Sequence, residues 1–177
     1  EEAVKRYLNT SVLSNTGRAD LAKHPGRVRG MQSIIKSIGI RSPLESNTFC
    51  DTVNTGDEVV FEIEYDTNET AINHTFIGIC SPLGERICSV GSHLDPKYAD
   101  TAIIGKGRLE CRLPSLLLNE GDYSVMVAMG TRVAGNIDCV EDALRFRVEF
   151  GDYFGTGRTL LKGQGYLAQQ SFWKQLY

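Results

Sequence analysis

The sequence predicts an all-β protein, an antiparallel β-sandwich of the immunoglobulin-like or jelly-roll-like kind, on three observations. Short segments of strand-like apolar residues recur at near-regular spacing between residues 31 and 150. The stretches "SPLGE", "LLNEGD" and "VAGN" between them have turn chemistry. No long amphipathic helical pattern intervenes.

Taken in order, residues 1–9, "EEAVKRYLN", read as the end of a helix or a helical linker. Residues 10–28 are polar, carry Gly17, Pro25 and Gly26 without periodicity, and read as a loop or tether. "MQSIIKSIGI" (31–40) is the first strand. "EVVFEIEYD" (58–66) alternates, with Val59, Phe61, Ile63 and Tyr65 on one face and Glu58, Glu62 and Glu64 on the other; Val60 alone breaks the second set. "NHTFIGICS" (73–81), "RICSVGS" (86–92), "GRLECRL" (107–113), "DYSVMVAMGT" (122–131) and "ALRFRVEF" (143–150) complete the set. The expected organisation is a helical lead and tether over 1–27, the sandwich over 28–150, and a glycine-rich hinge and arm over 151–177.

The totals exclude several functions. A chain of 177 residues suits one domain with a sizeable core. A net charge of −3 supplies no basic field, so no nucleic-acid partner is expected. No apolar run approaches the roughly 20 residues that span a bilayer. The start at Glu1, without methionine, is expected of a fragment. Cys50, Cys80, Cys88, Cys111 and Cys139 form no CxxC pair and no zinc spacing, which fits a reducing, cytoplasmic setting; no metal site is expected.

The strand faces differ. Residues 58–66, 107–113 and 143–150 present Glu58, Glu62, Glu64, Arg108, Glu110, Arg112, Arg145, Arg147 and Glu149, a solvated face whose charges would pair across one sheet. If Ile77, Ile79, Tyr123, Val125, Val127 and Met129 point inward, the other face of their strands carries His74, Phe76, Gly78, Cys80, Ser124, Met126, Ala128 and Gly130. An uncharged face with ring, hydroxyl and sulfur groups is expected to contact a ligand, a partner subunit or a returning segment of chain.

Catalytic patterns fail on context. "GDYFGTGRTLLKGQG" is glycine-rich, but Gly151 and Gly157 lack P-loop spacing, and Arg158 stands where lysine is needed. "GQGYLA" (163–168) leaves only nine residues after it, too few to complete a βαβ unit. His24, His74 and His93 belong to no HExxH, and no Gly-x-Ser-x-Gly occurs. "GNIDCVEDA" (135–143) lacks calcium-loop spacing and reads as a solvated acidic turn. No catalytic residue is expected.

Two blocks carry a family resemblance: Leu113 to Tyr123, "LP-x-L-x-L-x-x-G-x-Y", and Phe146 to Gly157, "F-x-V…D-x-FGTG", with a late tryptophan. From about Val28 onward the chain resembles the C-terminal carbohydrate-binding domain of Wzt-type ATPase subunits of O-antigen polysaccharide ABC exporters. The resemblance implies non-catalytic recognition of a lipid-linked glycan and a homodimer whose terminal strand is exchanged. It also implies an upstream nucleotide-binding domain that would hold ATP and magnesium, so this segment itself needs no cofactor. Through the full-length protein it implies a transmembrane transporter subunit as partner and a place at the inner membrane. Gly155 and Gly157 would be hinges of the exchanged arm, with Phe172 and Trp173 buried against the partner. The carbohydrate-binding candidates are His74, Phe76, Ser124 and Met126 from the uncharged face, with Arg86, Ser92, His93 and Arg132 as polar groups near the same strand ends. The competing reading is a dimerisation domain without glycan binding.

Overall fold

A computed structural model describes residues 16–43, 48–161 and 163–176. The expected helical lead over 1–9 lies outside these residues. Nine strands are assigned among them: β1 (Arg18–Asp20), β2 (Ile35–Arg41), β3 (Thr52–Asn54), β4 (Val59–Asp66), β5 (His74–Cys80), β6 (Arg86–Gly91), β7 (Lys106–Leu113), β8 (Gly121–Thr131) and β9 (Gly135–Glu149). They form two sheets, β1-β2-β4-β7 and β3-β9-β8-β5-β6. The fold is the expected all-β sandwich. Every pairing is antiparallel except that of β3 with β9.

Alternation explains the core. Ile38, Ile40, Phe61 and Ile63 of the first sheet face Ile77, Ile79, Val125, Val127 and Phe146 of the second, and all are buried. Phe61 and Phe146 meet edge to face across the gap, with ring centroids 6.2 Å apart. On the opposite face of the first sheet Glu64 pairs with Arg18 at 2.7 Å, Glu110 with Arg41 at 2.5 Å, Glu62 with Arg108 at 3.6 Å, and Glu58 with Arg112. Val60 breaks the charge pattern, yet it is buried between its register neighbours Arg41 and Arg112.

Three expectations need correction. The charged strand 143–150 does not join β4 and β7. A tight turn after Thr131 makes it the hairpin partner of β8 in the other sheet, where Arg147 meets Asp122 at 3.1 Å. "GNIDCVEDA" is no solvated turn but the first half of the 15-residue β9. Its Asp138 is fully buried, bonded by the Ile34 and Ile35 amides at 2.9 and 2.8 Å and by the Arg27 guanidinium. A buried carboxylate is tolerable only with partners of this kind. Finally, the described part of the tether is packed. β1 pairs with β2, Leu21 is fully buried, and Arg27 also donates to the carbonyls of Leu21 and Ile35. A three-residue edge strand is too short to show periodicity.

Beyond β9 the chain turns through Gly155 (φ 66°) and Gly157 (φ 64°), left-handed conformations that glycine adopts without strain. Asp152 Oδ1 accepts from the Thr156 and Gly157 amides at 2.9 and 2.8 Å, fixing this turn. The arm then returns to residues 117–119. Asn119 N–H donates to the Tyr166 carbonyl at 2.8 Å, Ala168 N–H to the Leu117 carbonyl at 2.9 Å, and the Ala168 side chain is buried.

Candidate functional site

The outer face of the second sheet divides into two parts. Toward β9, Asp122, Asp142, Arg145 and Arg147 pair among themselves. Toward β5 and β6 the register lines up small and apolar groups: Phe76 lies between Ala128 and Gly91, and Gly78 between Met126 and Ser89. This second part arises because the inward set, Ile77, Ile79, Val125 and Val127, fixes the orientation of two neighbouring strands, leaving their alternate residues outward.

Four candidate side chains form a row across this part. The His93 and His74 rings lie 4.8 Å apart between centroids. His74 stacks on Phe76 at 6.2 Å with 26° between planes, and the Arg86 guanidinium carbon lies 5.1 Å from the Phe76 centroid. Glycines make room for both ends. A Cβ at Gly91 would stand 2.6 Å from the His93 ring, and one at Gly78 would stand 3.1 Å from Arg86 Nε. Arg86 and His93 approach the strands this closely because glycine leaves no side chain at those two points.

The other candidates are placed differently. Ser124 and Met126 lie on the outer face of β8, opposite Cys80 and Gly78. Ser92 begins a 3-10 turn, Ser92–Leu94, and its Oγ accepts the Thr75 amide at 3.0 Å, which holds the turn against β5. Arg132 reaches Asp100 at 3.2 Å and donates to the Ala99 carbonyl, so it clamps the loop over residues 95–105. That loop places Tyr98 beside a small cleft that also borders His74, Asn73 and Ser92. Gly91 and Tyr98 were not among the expected site residues. Both depend on the β5–β6 register and on the path of the loop, which no local pattern encodes.

The electrostatics are those of a half-dry surface. Burial pushes the His74 imidazole below its ordinary value of 6.5, helped by His93 and Arg132. Burial raises the Cys80 thiol, which keeps it protonated at the sheet's surface. Among the described residues no group of three His, Cys, Asp or Glu side chains is placed to hold a metal ion. No helix among them is long and apolar enough to cross a membrane. The surface offers stacking planes, hydrogen-bond donors and small apolar floors, which suits binding rather than bond-making chemistry.

The arm glycines, Gly155 and Gly157, hold the turn described above, whereas Phe172 and Trp173 stand 89% and 94% exposed.

Comparison with known proteins agrees with the architecture. The family model described as the Wzt C-terminal domain matches residues 33–161. A crystal structure of the C-terminal domain of Wzt superposes with a TM-score of 0.63 at 14% identity, covering 90% of this chain and 87% of that one. Among curated proteins none matches.

Proposed function

The chain belongs to the Wzt C-terminal domain family, and from that premise we propose that it is a non-catalytic recognition module. It binds the lipid-linked O-antigen polysaccharide, at its terminus or along its repeat, for an ABC exporter. ATP hydrolysis with magnesium belongs to a nucleotide-binding domain elsewhere in the same subunit, and a transmembrane subunit is reached through it at the cytoplasmic side of the inner membrane. The observation that carries this reading is the row His93–His74–Phe76–Arg86 on the part of the outer sheet face, toward β5 and β6, that is otherwise built of small, weakly polar groups. Sugars present apolar C–H faces and fixed hydroxyls, and a surface with planar groups, hydroxyls and donors complements both. Ser124 and Met126 extend this surface along β8, while Ser92 and Arg132 hold its end in shape.

A second reading, a domain that only pairs two subunits, is favoured by the exposed Phe172 and Trp173. The two roles are compatible, because the tail and the stacked row are different parts of the chain.

The test is calorimetric titration of the domain with the O-polysaccharide of its own cell, with an unrelated O-polysaccharide as control. Saturable binding to the native glycan alone, abolished in Phe76→Ala with the oligomeric state unchanged, is the expected result. A well-folded dimer that binds neither glycan would leave pairing as the function.

A further inference from the structure

Accepting the recognition reading above, we infer that the glycan feature the site reads carries a negative charge, a carboxylate or a phosphate ester, taken by Arg86. The surrounding arginines set the contrast. Arg18, Arg41, Arg108, Arg112, Arg132, Arg145 and Arg147 each lie within salt-bridge distance of a carboxylate. Among the described residues Arg86 has no such partner, as is also true of Arg29 and Arg158, but Arg86 alone of these three stands at the end of the stacked row, at the start of the edge strand β6. Its guanidinium carbon instead lies 5.1 Å from the Phe76 ring centroid, and its Nε lies against the bare Gly78 backbone. That packing holds the side chain against the sheet, with guanidinium N–H donors left for an outside acceptor. Its polar neighbour among the described residues is the thiol of Cys80, and a thiol is a weak acceptor.

The rest of the row has the same character. His74 and His93 bring two imidazoles together with no carboxylate between them, and Nδ1 of His93 is buried without a hydrogen-bond partner. Arg132, at the far end, is already neutralised by Asp100. Glu141 and Asp142, whose charge is felt at Cys80, stand across β8 on β9, and Asp142 is taken by Arg145 at 2.7 Å. A planar guanidinium with free edge donors pairs in bidentate fashion with carboxylate or phosphate oxygens, whereas a neutral hydroxyl uses one donor at a time.

The test compares three preparations of the O-polysaccharide of the protein's own cell: native, carboxyl-reduced with carbodiimide and borohydride, and dephosphorylated with hydrofluoric acid. The expected result is that one of the two treatments weakens binding by at least about tenfold, which also identifies the anion. Arg86→Gln should lose a similar factor toward the native glycan and be indifferent to the treatment. Binding of both treated preparations as tight as the native one would overturn this inference while leaving glycan recognition intact. Failure of all three to bind the folded protein would remove both.

Discussion

Asp138 is the residue on which the start of the sandwich depends. It has no exposed surface, and it accepts from two backbone amides and from Arg27, which in turn donates to carbonyls of the same segment. Replacing it by alanine leaves Arg27 without its counter-charge and two amides without acceptors. A broken buried pair costs about 3–5 kcal/mol, so Asp138→Ala should lower the urea midpoint severely, and an unchanged midpoint would show that the clasp is dispensable. His24, close to Arg27 and Asp142, gives a pH signature. Its Nδ1 accepts the Gly26 amide at 3.1 Å, its Nε2 is buried without a partner, and burial holds its pKa below 6.5 against the opposing pull of Asp142. His74 is lowered as well. A lowered folded-state pKa means that the unfolded chain binds the proton first as pH falls. Stability is therefore full above about pH 6.5 and declines as pH drops toward the folded-state values. Glu64, whose pKa is lowered from 4.5 chiefly by the Ser37 hydroxyl, acts only at more acid pH, so the two effects separate. Unfolding midpoints at pH 7.5 and 5.5 should differ, and His24→Asn should flatten the difference.

Among the elements, β6 and the turn after it determine whether the row of rings exists. Gly91→Ala places a methyl where the His93 ring now lies, 2.6 Å away. The ring must swing off the sheet, while the β5–β6 ladder has no reason to break. Glycan affinity should fall at least severalfold with the melting temperature nearly unchanged, and nuclear magnetic resonance of the two imidazoles should show the pair separated. The elements also show what could be read in advance. β4, β5 and β8 were legible because each has one buried face, which writes a period of two into the sequence, and the outward set on β5 and β8 follows directly from it. β1 and β3 span three residues each, shorter than any detectable period. The first half of β9 was hidden because Asp138 looks solvated until its partners from residues 27, 34 and 35 are brought to it. His74 and Phe76 were found by alternation. Their stacking with Arg86 and His93, and the glycine floor, were not, because register between strands depends on contacts across the fold.

For the whole molecule, the proposed pairing of two copies rests on the arm. Residues 165–168 are tied to 117–119 of the same chain, and beyond them Phe172, Trp173 and Leu176 are 89%, 94% and 82% exposed. Three large apolar side chains exposed close together gain by being covered. Two-fold exchange would cover two aromatic rings from each copy. Each ring can bury roughly 150–250 Å², so four rings would make up most of the apolar area of such an interface. Association also costs translational, rotational and side-chain freedom, so taking a ring from each arm acts directly on the surplus that would hold the pair. Trp173→Ala, which removes one ring from each arm, should therefore shift the dimer to monomer at micromolar concentration, and deletion of residues 158–177 should give monomer at any concentration reached in sedimentation. The core and the stacked row do not include Trp173, so Trp173→Ala should keep the melting profile of the sandwich and its glycan contact. The deletion also removes Ala168 and Tyr166 from their places against residues 117–123, and should lower the melting temperature while sparing the stacked row. A dimer that persists after the deletion would place the pairing surface on the sheets instead. The exposed outer face would then be the first place to look, and recognition and assembly would compete for the same residues.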